Sequence, residues 1–361
     1  VYTIAKSFSN LLPSLMWRKK MTSGKNINVY YRTNANTPSV SQLQDVVDNS
    51  NSLLLSTGNP DLRQQVNHTL GSRYSATNAA KATSFFASVF TQLSQDYIAT
   101  ATFTARRDTI LSNNVLMKPG SQLSKPVNLN GYASTRLFLT YGLPVKKLKS
   151  NININSGLSW SRMPGLANGV EGRSDNYTVT AGAVFSSNIS QYVDFTLSYS
   201  GAFSTAENSI SPDLNSKYVN NSIGAQCNLL NKKGWFFNTD LTGQYYSGLS
   251  EGYDQGYWLW NAAAGKKFLK NQSGEIKFSV FDILRQNQSI TRTVNETSIQ
   301  DVRNTVLRRF FMLTFTYKLR NFGIPPKNPG RERDREWGMP PGGPGFPGGG
   351  GGPGGPGRMT W

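Results

Sequence analysis

The chain carries one cysteine, Cys227, and one histidine, His68, in 361 residues. A single thiol excludes an intramolecular disulfide framework and any multi-cysteine zinc site, and a lone cysteine is expected to sit buried as a small hydrophobe. One imidazole cannot build a histidine-rich metal centre. A Ser-His-Asp arrangement would have to run through His68, which has no nucleophile or acidic partner at motif spacing. The expectation is therefore a protein that is not an enzyme, with no catalytic, cofactor-binding or metal-ligating residue and no cofactor. Charge is also sparse, at 16% of residues, and acids are the scarcer sign: 20 Asp and Glu against 38 Lys and Arg, a net charge of +18. Long apolar runs are missing as well. A transmembrane helix needs about 18 or more apolar residues in a row, and runs such as Phe310-Phe311-Met312-Leu313 stop far short of that.

What remains is dominated by uncharged polar residues, with 37% hydrophobic and a mean hydropathy of −0.43. Such a composition suits a membrane protein that crosses with strands, because a barrel strand needs only about 9–11 residues with every second one apolar. The net positive charge first suggests nucleic acid. The basic residues are instead spread over short connections: Lys19, Lys20 and Lys25; Lys81; Lys146, Lys147 and Lys149; Lys232 and Lys233; Lys266, Lys267 and Lys270. No single basic stripe forms, so no nucleic-acid partner is expected. Cations at strand ends are placed to meet anionic lipid head groups, or simply solvate turns.

Period-two alternation runs through most of the chain. Over 151–160, Ile152, Ile154, Leu158 and Trp160 oppose Asn151, Asn153, Asn155, Gly157 and Ser159. Over 177–185, Val179, Ala181, Ala183 and Phe185 oppose Thr178, Thr180 and Gly182, and over 192–203, Val193, Phe195, Leu197 and Tyr199 oppose Asp194, Thr196, Ser198 and Ser200. In the last segment Phe311, Leu313, Phe315, Tyr317 and Leu319 oppose Met312, Thr314, Thr316 and Lys318. Marking every such stretch predicts about fourteen strands, near 1–8, 11–21, 25–34, 66–76, 84–102, 126–142, 151–161, 174–187, 192–204, 218–229, 235–247, 256–269, 275–285 and 306–319. Short connections (22–24, 77–83, 143–150, 188–191, 230–234, 270–274) alternate with long ones (35–65, 103–125, 162–173, 204–217, 248–255, 286–305). Tight turns on one side and long loops on the other are the signature of an antiparallel transmembrane β-barrel of the outer membrane, closed because unpaired backbone groups are costly in lipid.

Aromatics gather at strand ends as two interfacial girdles. Trp160, Tyr177, Tyr245, Tyr246, Tyr257 and Trp258 lie toward the long loops, and Tyr192, Trp235, Phe236, Phe268 and Tyr317 toward the short turns. Composition divides the chain into a barrel over 1–322 and a Gly/Pro-rich tail over 323–361, expected to be disordered because it cannot bury enough apolar surface to offset its ordering entropy. By strand parity the tail leaves on the periplasmic side. The chain opens at Val1-Tyr2-Thr3-Ile4 without an initiator methionine or signal segment, so its true N-terminus is expected to lie upstream.

Two stretches resemble the C-terminal barrel region of the TonB-dependent receptor-like outer-membrane β-barrel family common in Bacteroidota. One is Thr57-Gly58-Asn59-Pro60-Asp61-Leu62, approached through 34–38, which matches a G-N-P-x-L motif. The other is Phe278-Ser279-Val280-Phe281-Asp282-Ile283-Leu284-Arg285-Gln286-Asn287, followed by Asp301-Val302-Arg303 and the run from Leu307 through Arg308, Arg309 and Phe310 to Leu319, which is similar to the family's closing hairpin. Lys125-Pro126-Val127-Asn128-Leu129-Asn130-Gly131-Tyr132 extends the likeness, which spans about 1–322. The resemblance implies a barrel of about 22 strands around an N-terminal plug, and the plug, the TonB-contacting segment and about eight strands are expected to lie outside this sequence. Family barrels often end on an aromatic residue read by the assembly machinery, whereas here Phe322 is followed by the tail, so that signal would be internal.

The implied function is nutrient uptake or ligand binding at the surface of a Gram-negative cell. The implied partners are outer-membrane lipid, the missing plug, a TonB-type energy-coupling protein and, for the long loops, a surface lipoprotein. The alternative is a structural or interaction barrel without transport. Gly58-Asn59-Pro60 reads locally as turn chemistry, Asp282 is a candidate to pair with Arg308 or Arg309, and Asp96, Glu171, Asp175, Glu251 and Asp254 are the loop carboxylates available to a ligand.

Overall fold

A computed structural model describes residues 6–319 apart from 22–23, 112–113, 188–189, 191, 251–255, 270–271, 295–298 and 305. Glu251, Asp254, Lys270, Phe322 and the 323–361 tail lie outside the described residues. The chain forms β1 (Ser14–Lys20), β2 (Lys25–Asn36), a one-turn helix α1 (Val40–Leu43), β3 (Leu54–Ser56), β4 (Gln65–Asn78), β5 (Thr83–Gln95), β6 (Tyr97–Thr104), β7 (Thr109–Ile110), β8 (Leu116–Met117), β9 (Gln122–Leu129) and β10 (Tyr132–Val145). It continues through β11 (Ser150–Ala167), β12 (Val170–Ser187), β13 (Val193–Asn208), β14 (Ser216–Leu230), β15 (Trp235–Ser247), β16 (Gly256–Phe268), β17 (Gly274–Phe281), β18 (Ser289–Val294), β19 (Ile299–Asn304) and β20 (Phe310–Tyr317). No described helix is long and apolar enough to cross a membrane.

One antiparallel path of hydrogen-bonded neighbours runs β1-β2-β4-β5-β10-β11-β12-β13-β14-β15-β16-β17-β20. Each strand pairs with the next one long enough to form wall, and the intervening short strands belong to the loops. Among the described residues β1 pairs only with β2, and β20 only with β17, so these two are the edges of the sheet.

The register sorts side chains onto two faces, since alternate residues of a strand point to opposite sides and paired residues point to the same one. Leu137, Leu158, Val179, Phe203 and Val219 form one cross-strand row. On the opposite face Thr140, Asn155, Gly182, Ser200, Ser222 and Gln244 form another, tied by bonds such as Thr140 Oγ1 to Asn155 Oδ1 at 3.0 Å and Gln244 Nε2 to Ser222 Oγ at 2.9 Å. The apolar face is not covered by protein: Leu313 is 70% exposed, Phe315 64%, Leu70 53% and Ile223 53%. Such a continuous exposed apolar surface is far larger than a water-soluble monomer tolerates.

Among the described residues a conventional core cluster lies within the long loops, where Leu55, Ala105 and Met117 are buried against Val47, Leu111, Val115 and Leu123. There β6 and β9 continue β5 and β10 as one long hairpin, broken at Asp96 (φ +51°) and Gly131 (φ +101°). β9 pairs in parallel with β3, and β6 in parallel with the far end of β11 through Leu166–Ala101 and Ala167–Thr102.

Several expectations are corrected. Strands expected over 84–102 and 126–142 each divide in two at this break. The described part of the strand expected over 1–8 is not strand, because Lys6 is drawn away to the loops, donating to the carbonyls of Pro60 (2.7 Å) and Leu62 (2.6 Å). The strand expected over 275–285 stops at Phe281, and the one over 306–319 starts at Phe310. The long connection 286–305 contains the β18–β19 hairpin. Of the girdle aromatics, Phe236, Tyr246 and Tyr257 occupy the polar face, since the exposed apolar series on their strands is Trp235, Phe237 and Tyr245, and Trp258 and Trp260.

Candidate functional site at the long-loop end

The long loops are folded onto one another, and the Gly58-Asn59-Pro60 turn is where they lock. The Gly58 N–H donates to the Gln44 carbonyl at 2.9 Å and the Asn59 N–H to the Gln42 carbonyl at 2.6 Å. A Cβ on Gly58 would lie 2.3 Å from the Gln44 oxygen, so only glycine permits this approach. The Asn59 side chain faces both ways, donating to the Pro126 carbonyl at 3.0 Å and accepting from the Asp61 N–H at 3.1 Å. Leu62 is fully buried beside it. Asn128 completes the joint: its Oδ1 accepts from the Arg63 N–H (2.7 Å), and its Nδ2 donates to the carbonyls of Arg63 (3.0 Å) and Asp96 (2.8 Å). Helix α1 enters through a capping box between Ser39 and Gln42. The motif therefore fastens the 37–64 loop to the β6–β9 hairpin.

A second joint lies midway along β18–β19. Arg292 grips Asp301 with two nitrogens at 2.7 Å each, donates to the Gly248 carbonyl at 2.9 Å and lies 5.0 Å over the Tyr218 ring. Ser250 donates to Asp301 from its N–H at 2.9 Å. The two charged side chains are only 6% and 1% exposed. These bonds hold the Asp301 carboxyl down at about 2, chiefly through Arg292 and then Ser250.

The residues singled out from sequence are placed as follows. Asp96 is in an ion pair with Arg63 at 2.8 Å. Glu171 is exposed on β12, not in a loop. Asp282 is buried at φ +48° and does not pair with Arg308 or Arg309; its carboxylate accepts from the N–H groups of Gln286 (2.9 Å) and Asn287 (3.2 Å) and closes the turn after β17. Arg309 donates instead to the Ile283 carbonyl. His68 Nδ1 is bonded to the Tyr31 hydroxyl at 2.7 Å, and Cys227 is half-buried rather than buried. Among the described residues no group of three or more His, Cys, Asp or Glu side chains could hold a metal ion.

Asp175 is not a loop residue. It lies on β12 on the apolar face, opposite Arg162, and its side chain is 9% exposed. Arg162 Nε (2.8 Å) and Arg173 Nε (3.1 Å) both reach it, Trp160 Nε1 donates to it at 3.3 Å, and the Arg162 guanidinium lies 5.4 Å over the Trp160 ring. Sequence reading missed this cluster, although extending the Trp160 and Tyr177 parity by two residues on each strand reaches Arg162 and Asp175. The polar face has its own charge bias. Strands β1, β2, β4, β5 and β10 contain no acidic residue, while Arg18, Arg32, Arg73 and Arg136 share the polar face with Asn28, Thr69, Ser88 and Phe90.

A two-faced antiparallel sheet with uncovered apolar rows, rimmed by aromatics and folded loops on one side, is the geometry of a strand-built membrane wall. No curated protein matches the chain significantly. The model of the outer membrane protein beta-barrel family matches residues 2–237 and again 172–317. By sequence match and by architecture alike, the chain belongs to the outer membrane protein beta-barrel family.

Proposed function

We propose that this chain is the barrel portion of a TonB-dependent receptor-like protein of the outer membrane, which captures a ligand at the cell surface for uptake and is not itself an enzyme. In this reading the long-loop end is extracellular, the short turns face the periplasm, and the 323–361 tail departs on the periplasmic side. The plug and the energy-coupling protein are its partners for transport. The observation that carries the reading is the folded loop layer: a core around Met117, the Asn59 joint and the Arg292–Asp301 pair hold the loops in a fixed arrangement above the sheet. Loops that only linked strands would not need ordering at that entropic cost. Thirteen wall strands are also more than a filled barrel uses, so a barrel closed with them would have a lumen too wide for side chains alone to fill.

The test is uptake by the intact organism. Deleting the gene should abolish growth on one nutrient among metal chelates, oligosaccharides and peptides, and removing the energy-coupling protein should abolish growth on the same one. Growth that survives the second deletion would overturn energy-coupled transport. A second reading, a non-transporting interaction barrel, is favoured by the apolar groups the loop layer leaves uncovered: Val40 68%, Val46 60%, Leu53 61% and Ile110 72% exposed. These would suit a surface lipoprotein. Under that reading neither deletion changes uptake, while cross-linking at Leu53 captures a partner on whole cells.

A further inference from the structure

The Arg162–Asp175–Arg173 cluster sits where no soluble ligand of the lumen could reach it. Ascending the lipid-facing side of β11 and β12, the paired residues are Leu158 with Val179, then Trp160 with Tyr177, then Arg162 with Asp175, then Pro164 with Arg173. Leu158 and Val179 are 50% and 49% exposed, and Phe203 beside them 48%, so this level faces acyl chains. Trp160 and Tyr177 mark the interface, where amphipathic rings settle at head-group depth. Arg162 and Arg173 follow within about 7–13 Å along the strands, at the level of lipid phosphates.

The geometry points to a binding site for the phosphate-bearing head group of an outer-leaflet lipid, held between Arg162 and Arg173. Asp175 is the positioning residue. It fixes both guanidiniums through their Nε atoms, turning two long flexible side chains into one oriented donor surface. Asp175 is shared by both guanidiniums, and Glu171 follows Arg173 on the same face of β12, so the cluster offers a phosphate guanidinium N–H donors rather than a surplus of positive charge. Lys217, across β13 from Tyr177 through Thr205, adds another cation, and Glu207, paired in register with Asp175, sets an acidic limit on the β13 side. Guanidiniums bind phosphate oxygens by paired charge-assisted hydrogen bonds. The apolar strip below selects a lipid over free phosphate, because it accepts the acyl chains that such a head group brings. The proposal rests on membrane placement and not on uptake.

Full-length protein purified from outer membranes in mild detergent should carry phosphorylated lipid, detected by native mass spectrometry. Arg162→Gln with Arg173→Gln should lower that occupancy about tenfold or more, the loss expected for charge-assisted hydrogen bonds. Lys232→Gln with Lys233→Gln, an equal charge change at the short-turn end, should leave it unchanged. If the double variant is not recovered as a heat-modifiable folded barrel, Arg173→Gln alone, at a 57% exposed side chain, gives the readout. Unchanged lipid occupancy in these arginine variants overturns the proposal. So does delipidated wild type that, in titration calorimetry, binds inorganic phosphate but not phosphorylated lipid in vesicles. Loss of uptake with lipid binding intact would count against the transport reading alone.

Discussion

The side-chain amide of Asn59 donates to the main-chain carbonyl of Pro126 at 3.0 Å, across 67 residues of chain. This bond joins two loops that share no strand of the wall, and the close Gly58–Gln44 approach folds the first of them on itself. Asn59→Ala should cost the joint about 0.5–1.5 kcal/mol, with more where the Pro126 carbonyl is left unsatisfied. Gly58→Ala should cost more, since its Cβ would collide with backbone. Hydrogen exchange should speed up in β3 and β9 while β12 to β15 stay protected; equal loss of protection in both would show that the motif does not act as a local joint.

The Asp301 carboxyl is held at about 2, below its ordinary 3.8. A lowered folded-state value means that its stabilising contribution is complete above about pH 3.8 and is lost as pH falls toward 2. The β18–β19 hairpin should therefore stay docked at pH 4 and release below pH 3. Arg292→Ala removes the main cause and should move acid release upward. Protease sensitivity of 289–304 as a function of pH reads this directly, and an unchanged release point in the variant would refute it.

Ile223 and Ser222 are neighbours in β14 on opposite faces. Arginine in place of Ile223 should cost about 2–4 kcal/mol in reversible unfolding from lipid vesicles, as expected for a charge near the bilayer midplane. Arginine in place of Ser222 should cost much less. Similar costs at the two positions would mean that the apolar face does not meet hydrocarbon.

Cys227, paired in register with Phe195 and Thr239, lies on the lipid-facing side. In native membranes it should react with an apolar pyrene maleimide and resist a charged sulfonated one, with both reacting after denaturation. Rapid labelling by the charged reagent in the membrane would place that thiol in water.

Much of the wall is legible in sequence because its signal is local. The strand expected over 235–247 has those bounds, and Phe311, Leu313, Phe315 and Tyr317 all lie on the exposed face as alternation requires. The loop layer is not legible in that way. β3 has three residues, and β7 and β8 have two each, so no period can show; they exist because distant segments bond, as Leu55 does with Leu123. Asp282 misled because charge suggests an opposite charge, whereas two backbone N–H groups satisfy it at a left-handed turn. The Arg162 cluster was hidden by treating 162–173 as loop, when both strands run on as an extended ribbon.

In the proposed orientation that ribbon also decides what a visitor to the cell meets first. β11 and β12 have 18 residues each, about 60 Å of strand at roughly 3.3 Å per residue, which exceeds a hydrocarbon layer of about 30 Å even when tilted. Its tip is braced sideways, Asn168 accepting from the Thr104 N–H at 2.9 Å and donating from its own N–H to the Thr102 carbonyl at 2.9 Å. With the long loops extracellular, as proposed, an antibody, phage fibre or host protease arriving from outside would touch this stiffened spur before it reached lipid. An epitope grafted at 168–169 would be displayed well clear of the bilayer.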